Sequence, residues 1–466
     1  MADPVGLPFD GDDPWIHAIE IDSRRVEPGS LFCALPGGHV DGADFIAEAL
    51  DAGAHAILTD RPPPIDLPQG CSWIRVNDPR RFAALLAREF YGRPDAALKT
   101  IGVTGTNGKT SVTVLLEKIA EAAGERFGRL GTIGVHFHDV SEPLVHTTPE
   151  AVEFYRWLAA MRDAGMTGAA IEVSSHALAQ SRVAGATFDA AVFLNLSRDH
   201  LDFHGSERAY FDAKAILFES LSSDAFAILP AGDPHGERLA ARTAAHVLRF
   251  GSDSTGDVAI EAGRASLAGT SGTLRHAEVR VDVSSPVVGP FQLQNFAAAG
   301  ACAVALGWPL EAVARGLAAV EGVPGRMEPI AMGQPFGVLV DYAHTDEALK
   351  QSLLAARGLA EGRLHVVFGC GGERDAGKRP RMGHVAATYA DEIWLTHDNP
   401  RGEDPESILD QIETGIRAVG LDASRVHRVP DRALAIETAI EAAQADDLVL
   451  IAGKGHETVQ VFADGP

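Results

Sequence analysis

A glycine-rich stretch, Gly102-Val-Thr-Gly-Thr-Asn-Gly-Lys-Thr-Ser111, carries the strongest chemical signal in the chain. Glycines let a backbone wrap a phosphate, successive N–H groups and a helix N-terminus bind its charge, and a lysine in the loop reaches the terminal phosphates. Gly105, Thr106, Asn107, Gly108 and Lys109 would form that cradle, and Thr110 or Ser111 can offer a hydroxyl to Mg²⁺. The strict pattern GxxxxGK(S/T) needs glycine at position 103, where this chain has Val103, so the loop is a variant. The bland alternative is an ordinary strand–helix turn. The apolar run before it, the helical pattern after it and the Gly-Lys-Thr-Ser core favour phosphate.

Other reactive residue types follow. Glu172 and His200 each come after an apolar run, where a carboxylate and an imidazole can hold Mg²⁺ beside a nucleotide. A hydrogen-bonded strand end is the plain alternative for each. Lys214 shares a helical pattern with Tyr210, Phe211, Leu217 and Phe218, and by itself reads as a lysine snorkelling from a half-buried face. Thr147, Thr148, Ser174, Gln180 and Arg182 supply hydroxyls, an amide and a guanidinium suited to a peptide and its carboxylates. The threonine pair also reads as an N-cap for the helix after Pro149.

These residues need elements to hold them. Short apolar runs end abruptly in polar or glycine residues before a helical pattern begins. They are Ile101–Val103, Ala169–Val173, Ala190–Leu196, Val338–Val340, His365–Phe368, Glu392–Leu395 and Leu448–Ile451. Strands alternating with helices imply parallel sheets covered on both faces, which bind ligands at the carboxyl ends of their strands. Breaks near Leu98 and at Pro324-Gly325-Arg326 divide the 466 residues into 1–97, 98–324 and 325–466.

The apolar fraction of 46% with 22% charged residues belongs to a globular chain. A formal net charge of −24 argues against nucleic acid as a general partner, because phosphate backbones need a basic face. Anionic ligands would then require cations gathered locally, as in Arg374, Lys378, Arg379, Arg381 and Arg401. The four cysteines are far apart, which suits a reducing compartment better than a disulfide framework. The acidic N-terminus lacks a signal-peptide pattern, and no apolar run reaches the roughly 18–20 residues of a membrane span. A cytoplasmic location without membrane insertion is the expectation.

The loop Thr104–Ser111 resembles that of the Mur ligases, the amide ligases that build peptidoglycan, and of the related folylpolyglutamate synthetases. Further stretches are similar to the branch of the family that adds the third peptide residue. They are His146-Thr-Thr-Pro-Glu150, Glu172-Val-Ser-Ser-His-Ala-Leu178, Asn195-Leu-Ser-Arg-Asp-His-Leu-Asp202 and Tyr210–Phe218. Asp341-Tyr-Ala-His344, Gly369–Asp375, Asp398-Asn-Pro-Arg401 and Gly453-Lys-Gly-His-Glu457 complete the series in the family's order. The resemblance implies an α/β chain of three domains: a small mixed α/β N-terminal domain for the UDP substrate, a central P-loop-type mostly parallel sheet for ATP, and a C-terminal Rossmann-like α/β domain for an amino acid.

It also implies roles. Lys109, Lys214 and His200 would be catalytic, with Lys214 carbamylated by CO₂ and joining Thr110, Glu172 and His200 around Mg²⁺. Asn295, Arg326, Asp341 and His344 would join the loop in binding ATP. Ser23 and His39 would contact the uridine nucleotide, and Thr147, Thr148, Ser174, Gln180 and Arg182 the dipeptide. Arg374, Asp398, Asn399, Pro400, Arg401, Gly453 and Glu457 would bind the incoming amino acid. The set Asp398–Arg401 resembles the version that selects meso-diaminopimelate, whose second carboxylate an arginine fork grips, whereas lysine would leave that fork unpaired.

The implied reaction is ATP-dependent ligation of meso-diaminopimelate to UDP-N-acetylmuramoyl-L-alanyl-D-glutamate by a monomer. A lysine-adding or cyanophycin-type ligase is the near rival. A P-loop phosphotransferase or NTPase, and a catalytically dead binding protein, are the distant ones. Two departures from the family stand out. Asp346 replaces the usual proline after Asp341–Thr345, which should loosen the turn beside the nucleotide base, and the sequence stops at Pro466 where the family continues with another element.

Overall fold

The computed structural model describes residues 10–11, 13–37, 40–64, 67, 69–252, 256–463 and 465. Their strands form three sheets of five, eleven and six strands.

Parallel strands covered on both faces are apolar throughout, and the central sheet obeys that rule. Its middle runs His246–Ser252, Phe226–Pro230, Ala190–Phe193, Lys99–Thr104, Gly168–Glu172 and Phe127–Gly131, each pair parallel. Ile101, Val103, Ala169, Ile171, Val192 and Phe193 are fully buried there. The chain leaves Lys99–Thr104 and returns on either side of it, first to Gly168–Glu172 and later to Ala190–Phe193. Glu172 pairs with Val103, and Phe193 with Thr104, so three strands release their chains side by side. A parallel α/β sheet places ligands at such a reversal of strand order.

Helix Lys109–Ala122 follows the glycine loop and packs Val112, Leu115, Leu116 and Ile119 inward; Gly124, at φ +88°, ends it. The apolar stretch near Ala297 lies in helix Gln292–Ala305, buried over most of its length. The sequence reading did not foresee the two antiparallel borders of this sheet. One is Gly134–Phe137 with Val140–Glu142; the other is Val258–Ser266, Gly269–His276 and Val279–Ser285.

In the third sheet the order is Glu328–Pro329, Gly337–Asp341, Leu448–Ala452, Leu364–Phe368, Glu392–Leu395 and Val426–Arg428, parallel except at the first strand. Asp341 pairs with Ala452 and Phe368 with Leu395, so Tyr342, Gly453, Gly369 and Thr396 emerge at one end. Helices Lys378–Tyr389 and Pro405–Val419 cross closely there, because Gly383 and Gly415 present no side chain: a Cβ at Gly415 would run into the Pro380 carbonyl. The first sheet is parallel over Ala18–Glu20, Ser30–Cys33, Ala56–Thr59 and Ser72–Arg75, with Asp10–Gly11 antiparallel at its edge.

All four cysteines are buried and free. Among the described residues no helix is long and apolar enough to cross a membrane.

Two expectations change. Glu150 occupies the N-cap of helix Ala151–Asp163 without a side-chain capping bond, so the threonine pair does not cap it. The Thr148 hydroxyl is instead committed to the Glu172 carbonyl, 2.7 Å away. Nor does Asp346 loosen its turn. Thr345 caps helix Asp346–Arg357 through Ala348 N–H, and Asp346, first in that helix, takes a 3.0 Å bond from Arg381 Nε. A carboxylate suits a helix's first turn by charge, much as proline does by geometry.

Candidate active site

Val103 is buried within the strand, which continues to Thr104, so the glycine loop proper is only Gly105–Gly108. Gly108 sits at φ +90°, and a Cβ there would lie 2.8 Å from Asn295 Oδ1, so glycine serves both the turn and the close approach. Asn195, released by the neighbouring strand, shapes the loop from outside. Its Oδ1 accepts from Asn107 N–H at 2.9 Å, its Nδ2 donates to Asn107 O at 3.1 Å, and its carbonyl accepts from Thr106 N–H. The sequence reading gave Asn195 no role, though its place after an apolar strand was the available signal. Lys109 Nζ lies over the loop, donating to the carbonyls of Gly105 and Thr106 at 2.9 Å each.

The loop forms one wall of a cavity of about 480 Å³. Asn295, Arg326, Asp341 and His344, the residues that the resemblance assigns to ATP, all line it, together with Thr106–Ser111, Asp199 and His200. Arg326 Nη2 reaches Thr110 Oγ1 at 3.4 Å, and its guanidinium lies 4.8 Å over the Tyr342 ring. Arg326 Nε and Ser197 Oγ are buried without a hydrogen-bond partner among the described residues. Buried donors of this kind suit an anion, and with the loop they fit a nucleotide triphosphate. Asp341 acts differently from a direct ligand contact. Both its oxygens are taken by Met327 N–H, Ala343 N–H and Ser352 Oγ, so it fixes the turn that carries Tyr342 and His344.

Beside the loop lies Glu172, 1% exposed, its carboxylate held by Thr132 N–H at 2.9 Å and Thr132 Oγ1 at 3.0 Å. Thr132 Oγ1 shares a further bond with Thr147 Oγ1. A Cβ at Gly131 would strike Glu172, so that glycine keeps the carboxylate's place open. Burial holds the His200 imidazole below the usual histidine range, which favours its neutral form, and its Nε2 lies 3.4 Å from Asp199 Oδ2. Lys214 is 1% exposed and donates to Gly105 O at 2.9 Å, the same carbonyl that Lys109 uses. Burial, reinforced by Lys109, holds its ammonium well below the usual lysine range.

Among the described residues no three His, Cys, Asp or Glu side chains gather as a metal cluster. Mg²⁺ does not need one. It keeps several waters and is bound by one or two carboxylates plus phosphate oxygens, and the buried Glu172 carboxylate and the Thr110 hydroxyl on the cavity wall are groups of that kind.

The peptide-binding candidates converge on Thr148. Its hydroxyl accepts from Ser174 N–H at 3.0 Å, its carbonyl accepts from Arg182 Nη1 at 2.8 Å, and Arg182 Nη2 bonds Gln180 Oε1 at 2.7 Å. Arg182 is also paired with Glu150 at 2.9 Å, and Glu150 with Arg80 at 3.2 Å. Arg80 in turn donates twice to Pro36 O, tying the first sheet's loops to this site. Arg80 was not singled out in the sequence, since an arginine on an amphipathic helix gives no local signal, and Glu150 stood in the stretch His146–Glu150 without a role of its own. Ser23 is buried in the short turn Ser23–Arg25 and does not line the cavity. His39 lies outside the described residues.

In the third sheet Asp398, Asn399, Gly453 and Glu457 come together. Asn399 Oδ1 accepts from Lys454 Nζ and Val461 N–H at 2.9 Å each, which turns its Nδ2 onto Glu457 Oε2 at 3.0 Å. Gln460 straps the same turn through the carbonyls of His397 and Asp398. Lys454 and Gln460 were missed as site-builders; only Lys454 stood inside a recognisable motif. The basic cluster proves largely committed. Arg379 is 1% exposed against Glu403, Lys378 donates to His344 O, and Arg381 pairs with Asp346 and Asp375. Arg401 differs, since its Nη1 meets only the carbonyls of Gly372 and Asn399. Arg374 is exposed, and no ion pair engages it among the described residues. Both flank Gly371, Arg401 with its guanidinium and Arg374 with the stem of its side chain.

Comparison with known proteins accords with this geometry. Three family models match in order: the Mur ligase family catalytic domain over residues 15–91, the Mur ligase middle domain over 103–303, and the Mur ligase glutamate ligase domain over 325–455. A UDP-N-acetylmuramoyl-L-alanyl-D-glutamate–2,6-diaminopimelate ligase from Geobacillus kaustophilus is 45% identical, covering 97% of this chain and 93% of that protein. The chain belongs to the Mur ligase family. A Solibacter usitatus Mur ligase with the same name is 43% identical over 96% of this chain and 90% of its own length. A solved structure of a ligase so named superposes with a TM-score of 0.67 at 35% identity, covering 96% of this chain and 91% of the other. The fold is shared with a Mur ligase from Thermotoga maritima solved with ADP, at 20% identity and a TM-score of 0.67. As a Mur ligase the chain is an ATP-dependent enzyme that forms amide bonds.

Proposed function

We propose that this Mur ligase joins meso-2,6-diaminopimelate to UDP-N-acetylmuramoyl-L-alanyl-D-glutamate in peptidoglycan precursor synthesis, in the cytoplasm and as a monomer. We assign residues 1–97 to the UDP substrate, 98–324 to ATP and 325–466 to the amino acid. The observation that carries the choice of amino acid is Arg401, a half-buried guanidinium bonded only to carbonyls, with Arg374 beside it. Such a guanidinium is left unpaired by lysine and satisfied by a second carboxylate. The names of the similar proteins point the same way.

An oxygen of the substrate's D-glutamate γ-carboxylate attacks the γ-phosphorus of ATP, the bond to ADP breaks, and an acyl phosphate results. The amine of diaminopimelate then adds to that carbonyl, loses a proton and expels phosphate. The protein's share is positioning and charge. The loop amides and Lys109 hold the phosphates, and Arg326 stands beside Thr110 to receive growing negative charge. Glu172, Thr110 and His200, with Lys214 as a carbamate, would hold Mg²⁺, which screens the phosphate oxygens from the attacking carboxylate. Depression of the Lys214 ammonium favours the neutral amine, the form that adds CO₂. Because Arg326, Asp341 and His344 come from the third segment, closure of that segment on the central sheet would exclude water from the acyl phosphate.

Phosphate release measured with the UDP-dipeptide and either meso-diaminopimelate or L-lysine, with mass analysis of the product, tests the reading. A product carrying lysine, or phosphate without any amide, would overturn it.

A further inference from the structure

Tyr342 follows the strand Gly337–Asp341 and stands between the two halves of the site. On one side its ring carries the Arg326 guanidinium at 4.8 Å, and Arg326 reaches Thr110 of the glycine loop. On the other side its hydroxyl donates to Glu457 Oε1 at 3.3 Å. The other oxygen of Glu457 accepts from Asn399 Nδ2 and Lys454 Nζ, so Tyr342 is the donor that completes this carboxylate. The ring itself is confined. His344 and His456 lie edge-on and tilted against it at 4.8 and 5.2 Å, and a Cβ on Gly455 would lie 2.8 Å from both Gly325 O and Tyr342 Cβ. Burial, with the charge of Glu457, pushes the phenol up to about 12, so the hydroxyl remains a donor across the working range.

We infer that Tyr342 is a positioning residue with two separable tasks: its ring fixes Arg326 for the ATP phosphates, and its hydroxyl fixes Glu457 and Asn399 for the incoming amino acid. This rests on the assignment of Asn399 and Glu457 to the amino-acid site. Contacts run without a gap from Thr110 through Arg326, Tyr342 and Glu457 to Asn399. One side chain therefore sets both grips when the segments meet.

Two variants divide the tasks. Tyr342→Phe keeps the ring and removes the hydroxyl; Tyr342→Leu removes both. With Tyr342→Phe, KM for diaminopimelate should rise about tenfold, the worth of one hydrogen bond to a charged group, while KM for ATP stays within about twofold. With Tyr342→Leu both should rise, because a cation–π contact is lost as well. KM for the UDP-dipeptide serves as the control and should not move with Tyr342→Phe, while the melting temperature should fall by no more than a few degrees, the cost of one hydrogen bond. An unchanged KM for the amino acid in Tyr342→Phe, or equal rises for ATP and amino acid, would overturn the inference. If the native enzyme takes lysine instead, the substrate assignment fails separately and the same KM ratio is read with lysine.

Discussion

Replacing Arg401 with alanine should collapse the choice between diaminopimelate and lysine. The guanidinium has one nitrogen on the carbonyls of Gly372 and Asn399, 2.8 and 3.4 Å away, and no carboxylate partner among the described residues. Two charge-assisted bonds to the distal carboxylate of diaminopimelate are worth about 1.5–3 kcal/mol each. Taking the lower end for a half-buried site, about 3 kcal/mol disappears, and the preference for diaminopimelate over lysine falls by about 10²-fold. Lysine has no such carboxylate and loses only what the loop loses when the tie to Gly372 goes, about 1 kcal/mol, a cost that both amino acids share. The ratio of the two kcat/KM values, from phosphate release with product mass, thus isolates the carboxylate grip. Arg401→Lys should fall between, since a point charge replaces a fork. A ratio that moves by less than about threefold in Arg401→Ala would refute the reasoning, whatever happens to overall activity.

Four further outcomes are expected. Lys109→Ala should stop ATP consumption with both coupling partners present, since the ammonium over Gly105 and Thr106 is the loop's own cation; full turnover would refute the phosphate cradle. Activity should decline in CO₂-depleted buffer and return with bicarbonate, and Lys214→Arg should show no such response. His365 is 1% exposed, bonded to Asp447, and held below the usual histidine range by burial. Because its folded value is the lower one, the unfolded chain takes up more protons as pH falls below about 6.5, so the native Tm should drop there and His365→Asn should drop less. Gly415→Ala should lower stability by about 1–3 kcal/mol in denaturant melts, through overpacking against the Pro380 carbonyl, with KM values little changed in the surviving folded fraction.

The parallel strands were legible because each is apolar along its whole length and ends in polar residues. Lys99–Thr104 and Leu448–Ala452 show it plainly. The antiparallel border Val258–Ser266, Gly269–His276 and Val279–Ser285 was not, because its outer positions mix charge and small residues in no clean alternation. The glycine loop was readable one residue at a time, whereas Asn195 acts on the loop and Thr132 on Glu172 through the fold, from segments that only the sheet order brings together. Clustered arginines misled in another way. Arg379 looked like a ligand cation, yet it is buried against Glu403, and only three-dimensional pairing separates it from Arg401.

The pairing of Glu150 with Arg182 on one side and Arg80 on the other gives the peptide pocket an unusual entry condition. On the proposed reading, a substrate carboxylate arriving at Arg182 would find a cation already buried and already held by Thr148 and Gln180. It would displace a resident anion, Glu150, instead of filling a void, so affinity there would reflect a contest between two carboxylates. The losing one stays tethered to Arg80 and, through it, to the Pro36 carbonyl of the first sheet, which places news of peptide arrival within one side chain of the loop expected to hold the uridine.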